Sequence, residues 1–262
     1  MRVDPPVHAW PDPLEAAVAA CRGFDRVRVV AETASTQDAA LANAGGRPGL
    51  ALVAGRQTAG RGRFGRAWAD TGSLGLAVTF VVDGATPDAG LALAAGVGAC
   101  AAVECALHEP EGVGLKWPND VVERAGGRKL AGALVERRGG VALVGIGVNV
   151  LHESGDWPED LADRCVSLRA LGSGVTRLDV ARELIVQFDA ALAMTPTELA
   201  AAWNARHAHA GDLRVLTSAG ERHEGELMGV GPDGLLDLRL RDGKIVRLRP
   251  DVSTARAGGI SR

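Results

Sequence analysis

The sequence predicts an α/β (α+β) fold in which a mixed sheet with flanking helices is followed by a small β-barrel. Three observations predict it. Strand-like apolar runs alternate with helical stretches up to about residue 207. From Asp212 onward, short alternating runs are separated by Pro232-Asp233-Gly234 and Asp242-Gly243, two strong hairpin turns. Between two early strands lies Gly55 to Trp68, which carries Arg56, Arg61, Arg63 and Arg66, four glycines and no acid. That much charge and backbone freedom cannot bury a face, so it reads as a mobile cationic loop. The predicted domains are residues 1–211, with a leader over 1–22, and residues 212–262.

In chain order, Leu14 to Ala20 is a short amphipathic helix and Val27 to Ala31 a strand. Ser35-Thr36-Gln37-Asp38 has the form of a helix start, with Ser35 as N-cap and Asp38 three residues on. The hydroxyls of Ser35 and Thr36 either cap that helix or hold a polar ligand head. Leu50 to Ala54 and Leu74 to Val82 are strands flanking the arginine loop, and Pro87 to His108 is a long helix rich in small residues. Leu115-Lys116-Trp117-Pro118-Asn119-Asp120-Val121-Val122 is two short strands broken at Pro118. Arg128 to Glu136 and Val141 to Val150 are the next pair of strands, the second interrupted by Gly145 and Gly147. Glycines inside a strand mark close approach of a ligand or another chain segment. Thr176 with Asp179 caps a helix to Ala193, and Pro196 opens another to about His207. Four runs from Leu213 to Leu248 then form a barrel of four or five strands.

Composition narrows the function. A net charge of -3 and pI of 6.1 disfavour bulk nucleic-acid binding, so the arginine cluster suits a small anion better than a polyanion. Cys21, Cys100, Cys105 and Cys165 form no Cys-x-x-Cys and share no metal spacing with histidine; they read as buried apolar thiols. No protein metal site is expected. No signal-peptide pattern is present, and the apolar stretch from Ala89 to Leu107 is glycine-broken and carries Glu104, which fits a core helix. A cytoplasmic protein with reduced thiols is expected, without membrane or nucleic-acid partners.

Gly60 to Gly65 is a literal Gly-x-Gly-x-x-Gly, but no helix start follows it, so a dinucleotide fingerprint is rejected. As a set, Arg61, Arg63, Lys116 and Lys129 supply cations, Ser35, Thr36 and Gln57 supply polar groups, and Gly60, Gly62, Gly132, Gly145 and Gly147 permit close approach. Taken alone, Lys129 at a strand start reads more readily as a solvated lysine. No Ser-His-Asp or Cys-His order accompanies them. A cationic site without a nucleophile fits in-line chemistry between two anions, where positioning and charge neutralisation dominate.

Ser35-Thr36-Gln37, Gln57-Thr58-Ala59-Gly60-Arg61-Gly62-Arg63, Lys116-Trp117-Pro118-Asn119-Asp120, Arg128-Lys129-Leu130-Ala131-Gly132 and Gly145-Ile146-Gly147-Val148-Asn149 stand in one order. In that order they resemble the biotin–protein ligases. Gln37 replaces the family's usual Asn, and Phe64 its second loop arginine. The family's bifunctional members carry an N-terminal winged helix-turn-helix; the short leader implies a monofunctional enzyme. The resemblance implies a monomer or weak homodimer, since the family's sheets can pair edge to edge.

The resemblance implies a class II aminoacyl-tRNA synthetase-like catalytic domain with an SH3-like C-terminal barrel. It implies biotinyl-5′-AMP formation from biotin and ATP with Mg²⁺, then transfer to a lysine of a biotin carboxyl carrier domain. Ser35, Thr36, Gln37, Gln57, Gly60, Gly62 and Gly132 would line the biotin site, with Arg61, Arg63 and Lys129 clamping carboxylate and phosphate. Arg61, Arg63, Trp68, Lys116, Asn119, Lys129 and Asn149 would contact the nucleotide, with Asp120 a weaker candidate. Lipoate–protein ligase and a non-catalytic biotin sensor are the alternatives.

Overall fold

A computed structural model describes residues 2–108, 110–208, 212–217 and 220–257. The expected boundary at residue 211 falls outside the described residues. The strands of the first sheet are β1 (Arg26–Thr33), β2 (Leu50–Gln57), β5 (Gly75–Asp83), β6 (Val113–Lys116), β7 (Asp120–Glu123), β8 (Lys129–Arg138) and β9 (Val141–Asn149). Their order is β1-β2-β5-β9-β8-β7-β6. Only β1 and β2 run parallel, so the sheet is mixed, as the sequence predicts. Between β2 and β5 the arginine loop makes a ribbon of its own, β3 (Gly60–Arg61) against β4 (Ala67–Trp68). The helices are α1 (Pro11–Ala19), α2 (Thr36–Ala44), α3 (Asp88–Ala106), α4 (Arg177–Leu192) and α5 (Pro196–Arg206).

Side chains alternate between the two faces of the sheet. Leu76, Val78, Phe80, Val144, Ile146 and Ala133 join α1, α3, α4 and α5 in the main core. Phe80 packs there between Phe24 and Phe188, with ring centroids 5.0 and 4.5 Å away. Helix α3 is long and apolar enough by composition to cross a membrane, yet it lies largely buried against the sheet and the neighbouring helices. Its small residues permit close packing on both sides: a Cβ on Gly98 would sit 2.8 Å from the Phe188 Cα, and one on Gly96 3.2 Å from the Asn119 Cα. The opposite face is thinner. There Ala40 and Ala44 of α2 cover Leu50, Leu52, Val81 and Leu143.

Ser35 occupies the N-cap position of α2, but its hydroxyl makes no cap bond. The expected capping box fails because Asp38 turns outward to arginines. The box at Thr176 and Asp179 forms as predicted, and Thr195 with Glu198 forms a second.

Residues after 211 supply β10 (Asp212–Thr217), β11 (Arg222–Val230), β12 (Leu236–Leu240), β13 (Ile245–Leu248) and β14 (Ser253–Ala257). They pair antiparallel in the order β13-β12-β11-β10-β14. The last strand is additional to the four runs read from the sequence. Side-chain hydrogen bonds tie this sheet to the main body. The Asn204 side chain bonds both the N–H and C=O of Val230, at 2.8 and 3.0 Å. Trp117 Nε1 donates to Ser253 Oγ at 2.9 Å.

Candidate active site

On the α2 face of the sheet, three small residues lie side by side. Gly147 on β9 is flanked by Ala77 on β5 and Gly132 on β8. Large side chains from elsewhere fill the space they leave. A Cβ on Gly147 would stand 2.5 Å from the Trp68 ring, and one on Gly132 would stand 2.5 Å from Lys129 Nζ. The strand glycines therefore allow close approach of side chains from the loop and the β8 start. Lys129 Nζ lies 2.8 Å from Asp120 Oδ1 and 5.2 Å from the Trp68 ring centroid. Asp120 thus joins the site directly.

A polar chain closes one side. Gln57 Oε1 accepts from the Thr36 N–H at 2.8 Å and from Thr36 Oγ1 at 2.9 Å. Thr79 Oγ1 in turn donates to Thr36 Oγ1 at 2.9 Å. Gln57 thereby does the capping that Ser35 does not. Ser35 is buried beside it, and its hydroxyl makes no cap bond. Gly60 lies beneath the Gln57 amide, where a Cβ would come within 2.5 Å of Nε2. Thr79 was invisible as a site residue, although a lone threonine inside the apolar run Leu76 to Val82 was a signal.

Gln37 packs on Gly145 and donates to the Leu134 carbonyl at 3.0 Å. Gly62 closes the ribbon turn, its N–H bonding Arg66 O at 2.7 Å.

The loop arginines do not converge on one point. Arg61 pairs with Asp38 at 2.8 Å and Glu136 at 3.0 Å. Those bonds hold its pKa above the ordinary arginine value, and Arg61 with Arg138 lowers that of Asp38 to about 2. Arg63 reaches the second sheet, donating to the carbonyls of Pro250 and, at 2.9 Å, Ser253. Burial pulls its pKa down. Beside it, a cleft of about 140 Å³ is lined by Arg63, Phe64, Asn119, Pro250 and Asp251. Asn119 donates to Ala133 O at 3.0 Å, while its buried Oδ1 has no partner among the described residues. Lys116 stands opposite Asp120 in the β6–β7 hairpin.

Asn149 lies just behind the site. Its amide donates to Lys129 O at 3.0 Å and Val166 O at 3.2 Å, joining β8 to the following loop. It fixes the backbone of Lys129. No group of three potential metal-ligating side chains occurs among the described residues. All four thiols are free; against the expectation of buried thiols, only Cys100 is buried, Cys21 and Cys165 are half-buried, and Cys105 near the end of α3 is exposed. Desolvation still pushes each pKa up, Cys21 to about 11. None is prepared as a nucleophile.

The chain is similar in sequence and fold to known proteins. Residues 28–152 match the model of the biotin/lipoate A/B protein ligase family. The biotin--[acetyl-CoA-carboxylase] ligase of Mycobacterium tuberculosis is 34% identical over 248 residues, 90% of this chain and 91% of that protein. The bifunctional ligase/repressor BirA of Bacillus spizizenii is 30% identical over 80% of this chain and 68% of its own length. The structure of the Aquifex aeolicus biotin protein ligase in complex with biotin and ATP superposes with a TM-score of 0.79 at 27% identity, covering 90% of this chain and all of that one. The match to the ligase sequence spans nearly the full length of both chains, and the fold agrees, so this protein belongs to the biotin/lipoate A/B protein ligase family.

Proposed function

We propose that this chain is an ATP-dependent biotin–protein ligase. A biotin carboxylate oxygen attacks the α-phosphorus of ATP and pyrophosphate leaves, giving biotinyl-5′-AMP. The amine of a carrier-domain lysine then attacks the acyl carbon, and AMP leaves. The observation that carries the reading is the small-residue floor at Gly132 and Gly147, with Lys129 and Trp68 above it and the Thr36–Gln57 chain beside it. A floor without side chains suits a compact bicyclic acid. The polar chain and the neighbouring Ser35 hydroxyl suit a ureido group.

The two anionic reactants repel each other by about 1 kcal/mol at 4 Å in water, and by about 4 kcal/mol at an effective dielectric of 20. Lys129 is placed to offset this. It needs only to move its ammonium from Asp120 to bridge carboxylate and phosphate. In this reading Arg61 and Arg63 align the loop over carboxylate and phosphate, Gln37, Gly60 and Gly62 shape the biotin pocket, and Trp68 covers the ligand. Lys116, Asn119 and Asn149 belong to the nucleotide side. Mg²⁺ would arrive on the ATP phosphates and neutralise their charge, with the unpartnered Asn119 Oδ1 the side-chain oxygen best suited to meet it.

We assign residues 1–211 to the catalytic domain, of class II synthetase-like form, and 212–262 to an SH3-like barrel. The carrier is the biotin carboxyl carrier domain of a carboxylase. Four free thiols suit a cytoplasmic enzyme. Pyrophosphate exchange into ATP tests the proposal. Exchange that depends on biotin supports it. Exchange with lipoate alone, or with neither acid, overturns it.

A further inference from the structure

Each end of the arginine loop is gripped by groups outside it, and the grip on Arg61 is the more elaborate. Its Nη1 and Nη2 meet the two Asp38 oxygens at 2.8 and 3.1 Å. Its Nε and Nη2 meet the two Glu136 oxygens at 3.0 and 3.1 Å. Asp38 lies on α2 and Glu136 on β8, so a single guanidinium staples the helix to the sheet. This geometry lays β3 and β4 across the glycine floor. Arg138 is the fourth member of the cluster, bonded to Asp38 and 3.7 Å from Glu136.

Isolated surface ion pairs contribute little, but paired two-point contacts in a network are the exception. Here two cations face two carboxylates only while the loop is closed. When the loop lifts, Arg61 leaves with it. Two carboxylates then face Arg138 alone, and their excess negative charge draws the loop back.

We propose that Asp38 and Glu136 are positioning residues that hold the arginine loop shut through Arg61, with Arg138 as the competitor that limits the strength of the grip. The latch stands on this geometry alone; its consequence, retention of a water-sensitive acyl adenylate, rests on the ligase reading.

The test uses the full chain without ligand. Chymotrypsin cuts after Phe64, which projects from the loop and is 46% exposed. Cleavage there, identified by fragment mass, is measured for wild type, Asp38→Asn, Glu136→Gln and Arg138→Gln. The first two variants should be cut about fivefold faster, the scale of one lost exposed pair of good geometry. Arg138→Gln should be cut more slowly, because Arg61 then becomes the only cation left to the carboxylates. A general loss of structure would accelerate cutting in all three, so the opposite sign separates a latch from damage. Hydrogen exchange at residues 62–66 gives the same comparison for any variant that folds poorly.

Unchanged cleavage in Asp38→Asn and Glu136→Gln overturns the latch, as does faster cleavage in Arg138→Gln. Biotin-dependent exchange by the wild type is measured in parallel. If it is present while the cleavage pattern fails, the latch falls and the ligase reading stands. If it is absent while the pattern holds, the reverse is true. In the enzyme, the two carboxamide variants should also release more pyrophosphate per biotin transferred, with the KM for the carrier unchanged.

Discussion

The guanidinium of Arg177 lies 2.8 Å from the Asp4 carboxylate, although 173 residues separate them. Both are largely buried, with side chains 6% and 15% exposed. Arg177 also donates to the carbonyls of Gly55 at 2.6 Å and Gly75 at 3.5 Å, and it stacks over Trp10. Gly55 and Gly75 bracket the arginine excursion. One buried cation on α4 thus pins both ends of the loop, and the N-terminal segment supplies its counter-charge.

Removing that counter-charge should be costly. Asp4→Ala leaves Arg177 buried and unpaired and should destabilise the fold by about 3–5 kcal/mol. Urea denaturation measures it. The double variant Asp4→Leu, Arg177→Met should recover most of that stability, because an apolar pair of similar volume needs no desolvated charge.

Lys129 is the proposed bridge between the two anions. Lys129→Ala should lower biotin-dependent pyrophosphate exchange by about 10²–10³-fold, by analogy with lost oxyanion donors. Folding should be little affected, since the side chain is one-third exposed. Normal exchange in this variant would remove Lys129 from the chemistry.

The glycine floor makes a steric prediction. In Gly147→Ala the new methyl would lie 2.5 Å from the Trp68 ring, so the loop must lift. Overpacking of this kind costs about 1–3 kcal/mol. Biotin affinity, read by calorimetry, should fall about tenfold or more. Adding Trp68→Ala to Gly147→Ala should restore part of the loop's seating but not the ligand cover.

His152 gives a pH dependence. Its ring stacks on Trp157 at 4.1 Å and its Nε2 meets Thr71 Oγ1 at 2.6 Å. Burial pushes its pKa down from 6.5 to about 4, against the opposing pull of Asp156. Between these values the unfolded chain binds more protons than the native one. The stability from neutral His152 is therefore fully present above pH 6.5 and lost as pH falls through about 4. Urea midpoints should drop across that window. His152→Phe, which keeps the stack, should flatten the drop.

Much of the fold was legible because its cues are local. Alternating apolar runs, the Thr176–Asp179 capping box and the two hairpin turns each act within a few residues. The sequence also offered Ser35, Gln57, Gly60, Lys129 and Gly132 as one set; in the folded chain Gly60 lies against Gln57, and Lys129 against Gly132. The Ser35 cap was misjudged because Asp38 finds arginines remote in sequence. Thr79, Glu136 and Arg177 escaped notice for the same reason: their meaning lies in partners 43, 75 and 173 residues away.

What the chain determined by itself was its family, most of its longer strands and helices and the residue types offered to the candidate site. Those depend on residue types in order and on short-range geometry. Only the folded molecule decided where each loop cation goes, because that choice rests on which carboxylates and carbonyls the sheet brings within 3 Å. Arg61 and Arg63, alike in sequence, are sent in different directions by neighbours that no local pattern reveals.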